Sequence, residues 1–555
     1  MMGKIILFLE RNFSWLSKPR LILLVILFLA AFLRFYRLAD NPPSLNWDEI
    51  SHGYNAYSIL KTGRDEWGSR LPLIFRAYGD YKLPSYIYLS ILPIALFGLK
   101  AFSVRFISAS AGVVLVFLTY LITKKVSQKE GFALFASLLT AVSPWSLFVS
   151  RVALEANLAV LLFAAGFWFF LQWREKGRGL LWVAFFWGLA LYAYNSARIL
   201  VPLFAFLAAA AVFKKKRLKQ SALAGVIFLI FLVPFVGQLF DQTGKARFDL
   251  VTPLDQGTIM RINEKRTASK LPPGVARAIY NRPTFFVTYA VKNYLANLSP
   301  KYLFFRGGSH YQFSQPEHEL LYLVVAPFLL LGILRAFWRK DDQERLIGIW
   351  FFFGFLPSAI TRDAPHVLRS LLVLPAPMIL TALGLKEILT EVGPKSRFKG
   401  KLLMAILSLA VMISFSRWWQ DYWRIYQPTY SWAWQYGYRE AIAFVQKNAA
   451  RYDKIILTKR YGEPHEFLLF YLKYDPRQYQ NPQGKKWDYH ANWYWVDGFD
   501  KFVFMNDWEV KYLATCPRGA KCLLLTSPEN YPKGWQKIEA VNFLDGKPAF
   551  EILEQ

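Results

Sequence analysis

The sequence predicts a polytopic α-helical membrane protein, and three observations carry that prediction. Of its 555 residues, 54% are hydrophobic and 18% aromatic, more apolar than an ordinary soluble domain. Apolar runs of membrane-helix length recur through the first three quarters of the chain. The basic residues behind the net charge of +29 gather in short loops between those runs, the pattern that orients membrane proteins. Charge placed this way argues against a nucleic-acid partner. Two cysteines, Cys516 and Cys522, are too few for a disulfide framework or a thiolate metal site.

Taken in order, the apolar spans are 19–38, 103–123, 131–149, 157–172, 180–194, 199–213, 221–240, 319–337, 346–360, 367–385 and 402–416, about 11 transmembrane helices. Lys4, Arg11, Lys18 and Arg20 precede the apolar stretch 21–33 of the first span, Arg34 and Arg37 follow that stretch, and no small-residue cleavage site intervenes. That reads as a membrane anchor with a cytoplasmic N-terminus rather than a signal peptide. The short run 84–98 is decided by parity. If it does not span, the five basic loops (124–129, 174–178, 214–219, 335–345 and 395–401) share a side with the basic N-terminus. If it spans, the rule fails throughout, so 84–98 is expected to lie in the interface. The outer face then holds 39–102, the turns near 151–156, 195–198 and 361–366, and a long loop, 241–318. Residues 1–416 form the membrane domain. Residues 417–555 are less apolar, carry strand-like pieces such as Lys454-Ile-Ile-Leu-Thr458 and Cys522-Leu-Leu-Leu-Thr526, and suit one small extracytoplasmic α/β domain. Outside the cytosol Cys516 and Cys522 can pair, though two free thiols fit the spacing as well.

Polar residues recur in four groups at the outer ends of these spans. The first is Asp48-Glu49, within Asn41-Pro-Pro-Ser-Leu-Asn-Trp-Asp-Glu-Ile50. The second is Gly79-Asp-Tyr-Lys-Leu-Pro84, which supplies Tyr81 and Lys82, followed by Arg105 at the start of the next span. The third is Ser150-Arg151-Val-Ala-Leu-Glu155, and the fourth is Thr361-Arg362-Asp-Ala-Pro-His366-Val-Leu-Arg369, with Arg198 and Arg306 at similar depth. Ionisable groups in an apolar setting are functional candidates, because that setting penalises charge. A carboxylate can take the proton of an attacking hydroxyl, more readily where burial raises its pKa. Lysine and arginine can hold a phosphate and neutralise the charge that grows on it as it leaves. Together these groups suit transfer from a lipid-linked phosphate to an acceptor.

Each residue has a plainer reading too. Asp48 and Glu49 also suit a helix N-cap and its solvated neighbour, the more natural reading from periodicity alone. Lys82, Arg105 and Arg369 can snorkel at helix ends, Arg151 and Glu155 can pair on a helix surface, and His366 can be an ordinary interfacial histidine. A lipid or sugar transporter is the alternative class. Transporters place ionisable groups at mid-membrane and carry repeats, whereas the spans 199–213 and 402–416 hold no charge. His310 and His318 lack metal-ligand spacing, so no metal site is assigned, and a divalent ion on Asp48, Glu49 and Glu155 is left open. No P-loop or GxGxxG is present.

The motifs Trp47-Asp48-Glu49, Gly79-Asp-Tyr-Lys82-Leu-Pro84, Val104-Arg105-Phe-Ile-Ser-Ala and Ser150-Arg151-Val-Ala-Leu-Glu155 resemble those of the GT-C superfamily of membrane glycosyltransferases. The likeness is to its protein O-mannosyltransferase and lipid A aminoarabinose transferase branch, and it covers roughly residues 10–415. It implies interfacial helices in the first outer loop. It also implies inverting transfer of one sugar, hexose or pentose, from a polyprenyl-phosphate carrier to a protein or glycolipid acceptor or a wall glycan. No prosthetic group is implied. Carried onto this chain, Asp48 is the general base and Glu49 its neighbour in the acceptor site. Glu155 stands where the family has aspartate and positions acceptor or sugar. Lys82 and Arg105 match basic positions of the carrier-phosphate region, and His366 and Arg369 match the same region loosely. Tyr81, Arg151 and Arg198 are further candidates for binding the carrier phosphate or sugar.

Overall fold

A computed structural model of the chain describes residues 18–79, 81–215, 218–241, 248–391 and 397–555. Lys4, Arg11, Asp80 and parts of the basic loops 214–219 and 395–401 lie outside the described residues. The chain opens with α1 (Lys18–Phe35) and α2 (Trp47–Thr62), then a two-strand hairpin of β1 (Phe75–Arg76) and β2 (Tyr81–Lys82). There follow α3 (Pro84–Phe97), α4 (Ala101–Ser127), α5 (Glu130–Val142), α6 (Pro144–Ser150) and α7 (Glu155–Lys176). Next come α8 (Leu180–Ala190), α9 (Ala197–Lys215) and α10 (Leu218–Phe240). The run read as one span over 131–149 is a bent pair, with α5 and α6 meeting at 54°. Pro144, at the first turn of α6, has no N–H to continue the ladder of α5.

The segment read as a long outer loop carries three helices, α11 (Gln256–Thr267), α12 (Pro273–Ile279) and α13 (Arg282–Asn297). The membrane part closes with α14 (Ala326–Trp338), α15 (Asp342–Phe353), α16 (Ala376–Glu391) and α17 (Arg397–Asp421). Helices α14 and α16 touch backbone to backbone: a Cβ on Gly332 would meet the Leu380 carbonyl oxygen at 1.8 Å, and one on Gly384 the Phe328 carbonyl oxygen at 1.9 Å. Small residues permit such contact where lipid offers no hydrophobic drive for association.

Among the described residues, five helices are long and apolar enough to cross a membrane, six if α5 and α6 form one span. The other expected crossings are shorter or more charged helices. Helix α3 has 14 residues, about 21 Å of rise against a hydrocarbon core of about 30 Å. It buries Tyr86, Ile87 and Ser90 and exposes Leu89, Leu92 and Leu96.

Helix α17 runs past the expected boundary at 416 to Asp421, because its aromatic end is packed: Trp418 is fully buried and stacks on buried Tyr422, which follows the helix. Beyond it, α18 (Tyr438–Asn448) leads into a seven-stranded mixed sheet of order β4-β5-β6-β3-β7-β9-β8. Its strands are β3 (Lys454–Thr458), β4 (Lys485–His490), β5 (Trp493–Phe499), β6 (Phe502–Met505), β7 (Cys522–Thr526), β8 (Gln536–Asn542) and β9 (Pro548–Glu554). Central β3 is parallel to β6 and β7, and the remaining pairs are antiparallel. Both strand-like sequences are thus strands, near-continuous in apolar residues because they are buried. Cys516 and Cys522 form a disulfide. Helix α19 (Pro464–Tyr471) brings this domain against α2, and a Cβ on Gly462 would meet the Trp47 ring at 2.1 Å.

Candidate active site

The motif Asn46-Trp-Asp-Glu49 starts α2 with a capping box. The Asn46 side chain accepts from the Glu49 N–H at 2.9 Å, and the Glu49 carboxylate accepts from the Asn46 N–H at 3.2 Å. The cap is therefore Asn46, and its partner is Glu49. Successive helical side chains point about 100° apart, so Glu49 turns inward while Asp48 turns outward. Glu49 is 1% exposed and accepts two bonds from Arg105, at 2.8 and 2.9 Å, and one from the Ala153 N–H at 2.8 Å.

Asp48 opens instead into a cleft of about 290 Å³. Lys82, delivered by β2, donates to its carboxylate. Tyr81, Glu155, His366 and Arg369 line the same cleft, so six of the residues singled out in the sequence meet there. Burial acts to raise the Asp48 carboxyl, but the charge and hydrogen bond of Lys82 outweigh it and hold the group below its ordinary value. The expected upward shift is thus reversed while Lys82 is engaged. Arg369 donates to Thr361 Oγ1 at 3.1 Å and to the Arg362 carbonyl, and His366 lies beside Phe313 with ring centroids 5.3 Å apart. Behind Glu155 stands His52, fully buried, its Nε2 3.7 Å from Glu155 Oε2. Burial, then the charge of Lys82, lowers His52 to about 3, so it is neutral at physiological pH.

Four expected residues stand elsewhere, each for a physical reason. Arg105 is fully buried and commits all five N–H donors to Glu49 and to the carbonyls of Leu38, Pro42 and Ser44, leaving none for a phosphate. Glu49, as its counter-ion, has no free edge for an acceptor. Arg151 is equally buried and donates to the carbonyls of Leu33, Arg34, Tyr36, Arg37 and Asn41. It closes the C-terminal end of α1, whose last carbonyls lack helical partners. Arg198 donates to the Leu191 carbonyl and to Gln238 and lies over Phe235, away from the cleft.

The sequence reading missed Tyr194, Asn195, Phe313 and Trp493, which complete the walls. Tyr194 and Asn195 adjoin a turn already placed on the outer face. Trp493 lies more than a hundred residues from the nearest of the other motifs, and nothing local marks it. Among the described residues no three His, Cys, Asp or Glu side chains converge to hold a metal. The cleft thus holds one carboxylate paired with a lysine, a second carboxylate, and further cationic and aromatic walls.

Residues 82–238 match the family model of dolichyl-phosphate-mannose-protein mannosyltransferase. No curated protein matches by sequence. Among solved structures the chain is similar to ArnT from Cupriavidus metallidurans bound to undecaprenyl phosphate, with 12% identity over 98% of each chain and a TM-score of 0.53. It is also similar to the oligosaccharyltransferase AglB from Archaeoglobus fulgidus in complex with an inhibitory peptide and a dolichol-phosphate. That match has 14% identity over 83% of this chain and 64% of the other, with a TM-score of 0.49. The fold agrees with the motif resemblance, and the chain has the GT-C membrane-glycosyltransferase fold.

Proposed function

We propose that this cleft transfers a single sugar from a polyprenyl-phosphate carrier to an acceptor nucleophile, with inversion, at the outer face of the cytoplasmic membrane. The observation that carries the reading is the Asp48–Lys82 pair inside a cleft that also holds Glu155, His366 and Arg369. Lys82 has two anionic partners to choose between. With no donor present it holds Asp48 ionised and weakly basic. A donor phosphate draws the ammonium away, and Asp48, losing its stabilising charge, becomes a stronger base as the substrate arrives. The carboxylate then takes the acceptor proton while the acceptor atom bonds to the anomeric carbon from the face opposite the phosphate. The bond from that carbon to the phosphate oxygen breaks, its electron pair stays on the phosphate, and Lys82 with Arg369 neutralises the added charge. Glu155 orients the acceptor or the sugar.

An apolar groove lined by Leu73, Pro84, Tyr88, Leu89, Tyr192 and Phe231, about 390 Å³ in volume, lies along α3, which begins two residues after Lys82 in the chain. It supports the reading by offering the isoprenoid chain a surface. The test incubates purified protein with a panel of polyprenyl-phosphate sugars and with protein, glycolipid and glycan acceptors. One donor is expected to be consumed, releasing polyprenyl phosphate. Asp48→Asn should lower transfer about a hundredfold or more while donor binding persists. Full activity of that variant would remove Asp48 as the base.

A further inference from the structure

The cleft is built almost entirely by the membrane part and its outer loops; the exception is Trp493, at the start of β5 in the C-terminal sheet. The hairpin of β4 and β5 is fastened onto the loop that carries Lys82. The Tyr494 N–H donates to the Tyr78 carbonyl at 2.8 Å, and the Tyr81 and Tyr494 hydroxyls lie 3.1 Å apart. This fixes the Trp493 ring three ways. It stacks on Tyr78 with centroids 5.8 Å apart and planes 21° apart. Its Nε1–H donates to the buried Glu463 carboxylate at 2.8 Å. It lies so close over Gly79 that a Cβ there would meet ring atom Cε3 at 2.3 Å. A half-buried indole held by stacking, hydrogen bond and close backbone approach is a rigid apolar surface. It lines the same cleft as the charged groups Asp48, Lys82, Glu155 and Arg369. A phosphate-linked sugar has the complementary form: a charged end, hydroxyls on its rim, and an apolar face of C–H bonds.

We infer that Trp493 is a specificity-determining platform against which the donor's sugar ring stacks, so that the C-terminal domain completes the active site. This rests on the proposed transfer from a polyprenyl-phosphate sugar.

The test compares two probes on the full-length protein: the polyprenyl-phosphate sugar that the wild type consumes, and polyprenyl phosphate bearing no sugar. Trp493→Ala should weaken the sugar-bearing donor about five- to tenfold, the scale of one aromatic contact, and leave the bare carrier unchanged. Trp493→Phe should restore most of the loss. Gly79→Ala, which displaces the indole without deleting it, should reproduce the donor-selective effect. Equal weakening of both probes would mean that Trp493 only holds the hairpin in place, and unchanged binding of both would mean that it faces no sugar. Either result overturns the inference. A wild type that consumes no sugar donor would instead overturn the transfer reading itself, before any variant is compared.

Discussion

Asp48 and Glu49 adjoin in sequence and differ in everything that follows. Glu49 is sealed between the start of α2, Arg105 and Ala153, whereas Asp48 has 42% of its side chain exposed. The stability consequences should separate accordingly. Glu49→Gln leaves the Arg105 guanidinium buried without its counter-charge and should cost about 3–5 kcal/mol, as should Arg105→Met from the other side. The double variant should cost clearly less than the sum, because neither buried charge is then left alone. Thermal unfolding of the four proteins in one detergent checks this, and strict additivity would exclude direct coupling. Asp48→Asn should shift the melting point far less while removing transfer. The chemical classes of these residues were legible in the sequence, and so was the Asn46-x-x-Glu49 spacing of a capping box. Depth was not. In the sequence Arg105 and Arg151 have the look of carrier ligands, because nothing local shows that backbone carbonyls of 33–44 converge on them.

Helices in lipid are set by length and by how closely they approach. Hydropathy located the five long apolar helices well, since each needs a long apolar run whatever its neighbours do. It located α11 to α13 poorly, because segments such as Arg261-Ile-Asn-Glu-Lys-Arg266 carry little apolar periodicity and depend on capping, as Asp255 does for Thr258. The backbone contact between α14 and α16 was equally hidden. Its two glycines are ordinary in sequence and become specific only when the helices meet. Gly384→Ala should therefore be among the most disruptive one-methyl changes in the membrane part, since its Cβ would fall on a carbonyl oxygen. Gly225→Ala, on α10 with open space around it, should be neutral or mildly stabilising. Comparing folded yield and melting temperature of the two variants checks the contrast, and a tolerated Gly384→Ala would show that the helices can separate without loss.

At the scale of the whole molecule, the membrane part and the sheet domain meet through buried carboxylates, which makes their union sensitive to pH. Glu463, 7% exposed and bonded to Trp493, is raised to about 7 by burial, which the Trp493 hydrogen bond and Lys459 only partly offset. Glu66, between α2 and β1, is likewise raised by burial to about 7, and Glu466 of α19 lies well above its ordinary value. Other charged groups face the same junction: Asp65, Lys82 and Lys485. Burial lowers Lys485 to about 8, so it opposes only at alkaline pH, and it keeps buried His465 neutral. A carboxyl whose folded pKa exceeds its unfolded value binds protons more tightly when folded. Its stabilising contribution is therefore complete below the unfolded value of 4.5 and is lost as pH rises through about 7. His465 acts in the opposite sense, being protonated on unfolding below its ordinary value of 6.5, so the wild-type curve alone mixes the two. A difference separates them. Glu463→Gln keeps an oxygen for the Trp493 indole and cannot ionise, so its stability relative to wild type should rise by up to one proton's worth, about 1.4 kcal/mol per pH unit, between pH 5 and 7. Melting both proteins at pH 5, 6, 7 and 8 measures that difference. A difference independent of pH would show that Glu463 titrates alike whether the hairpin is seated over the cleft or not.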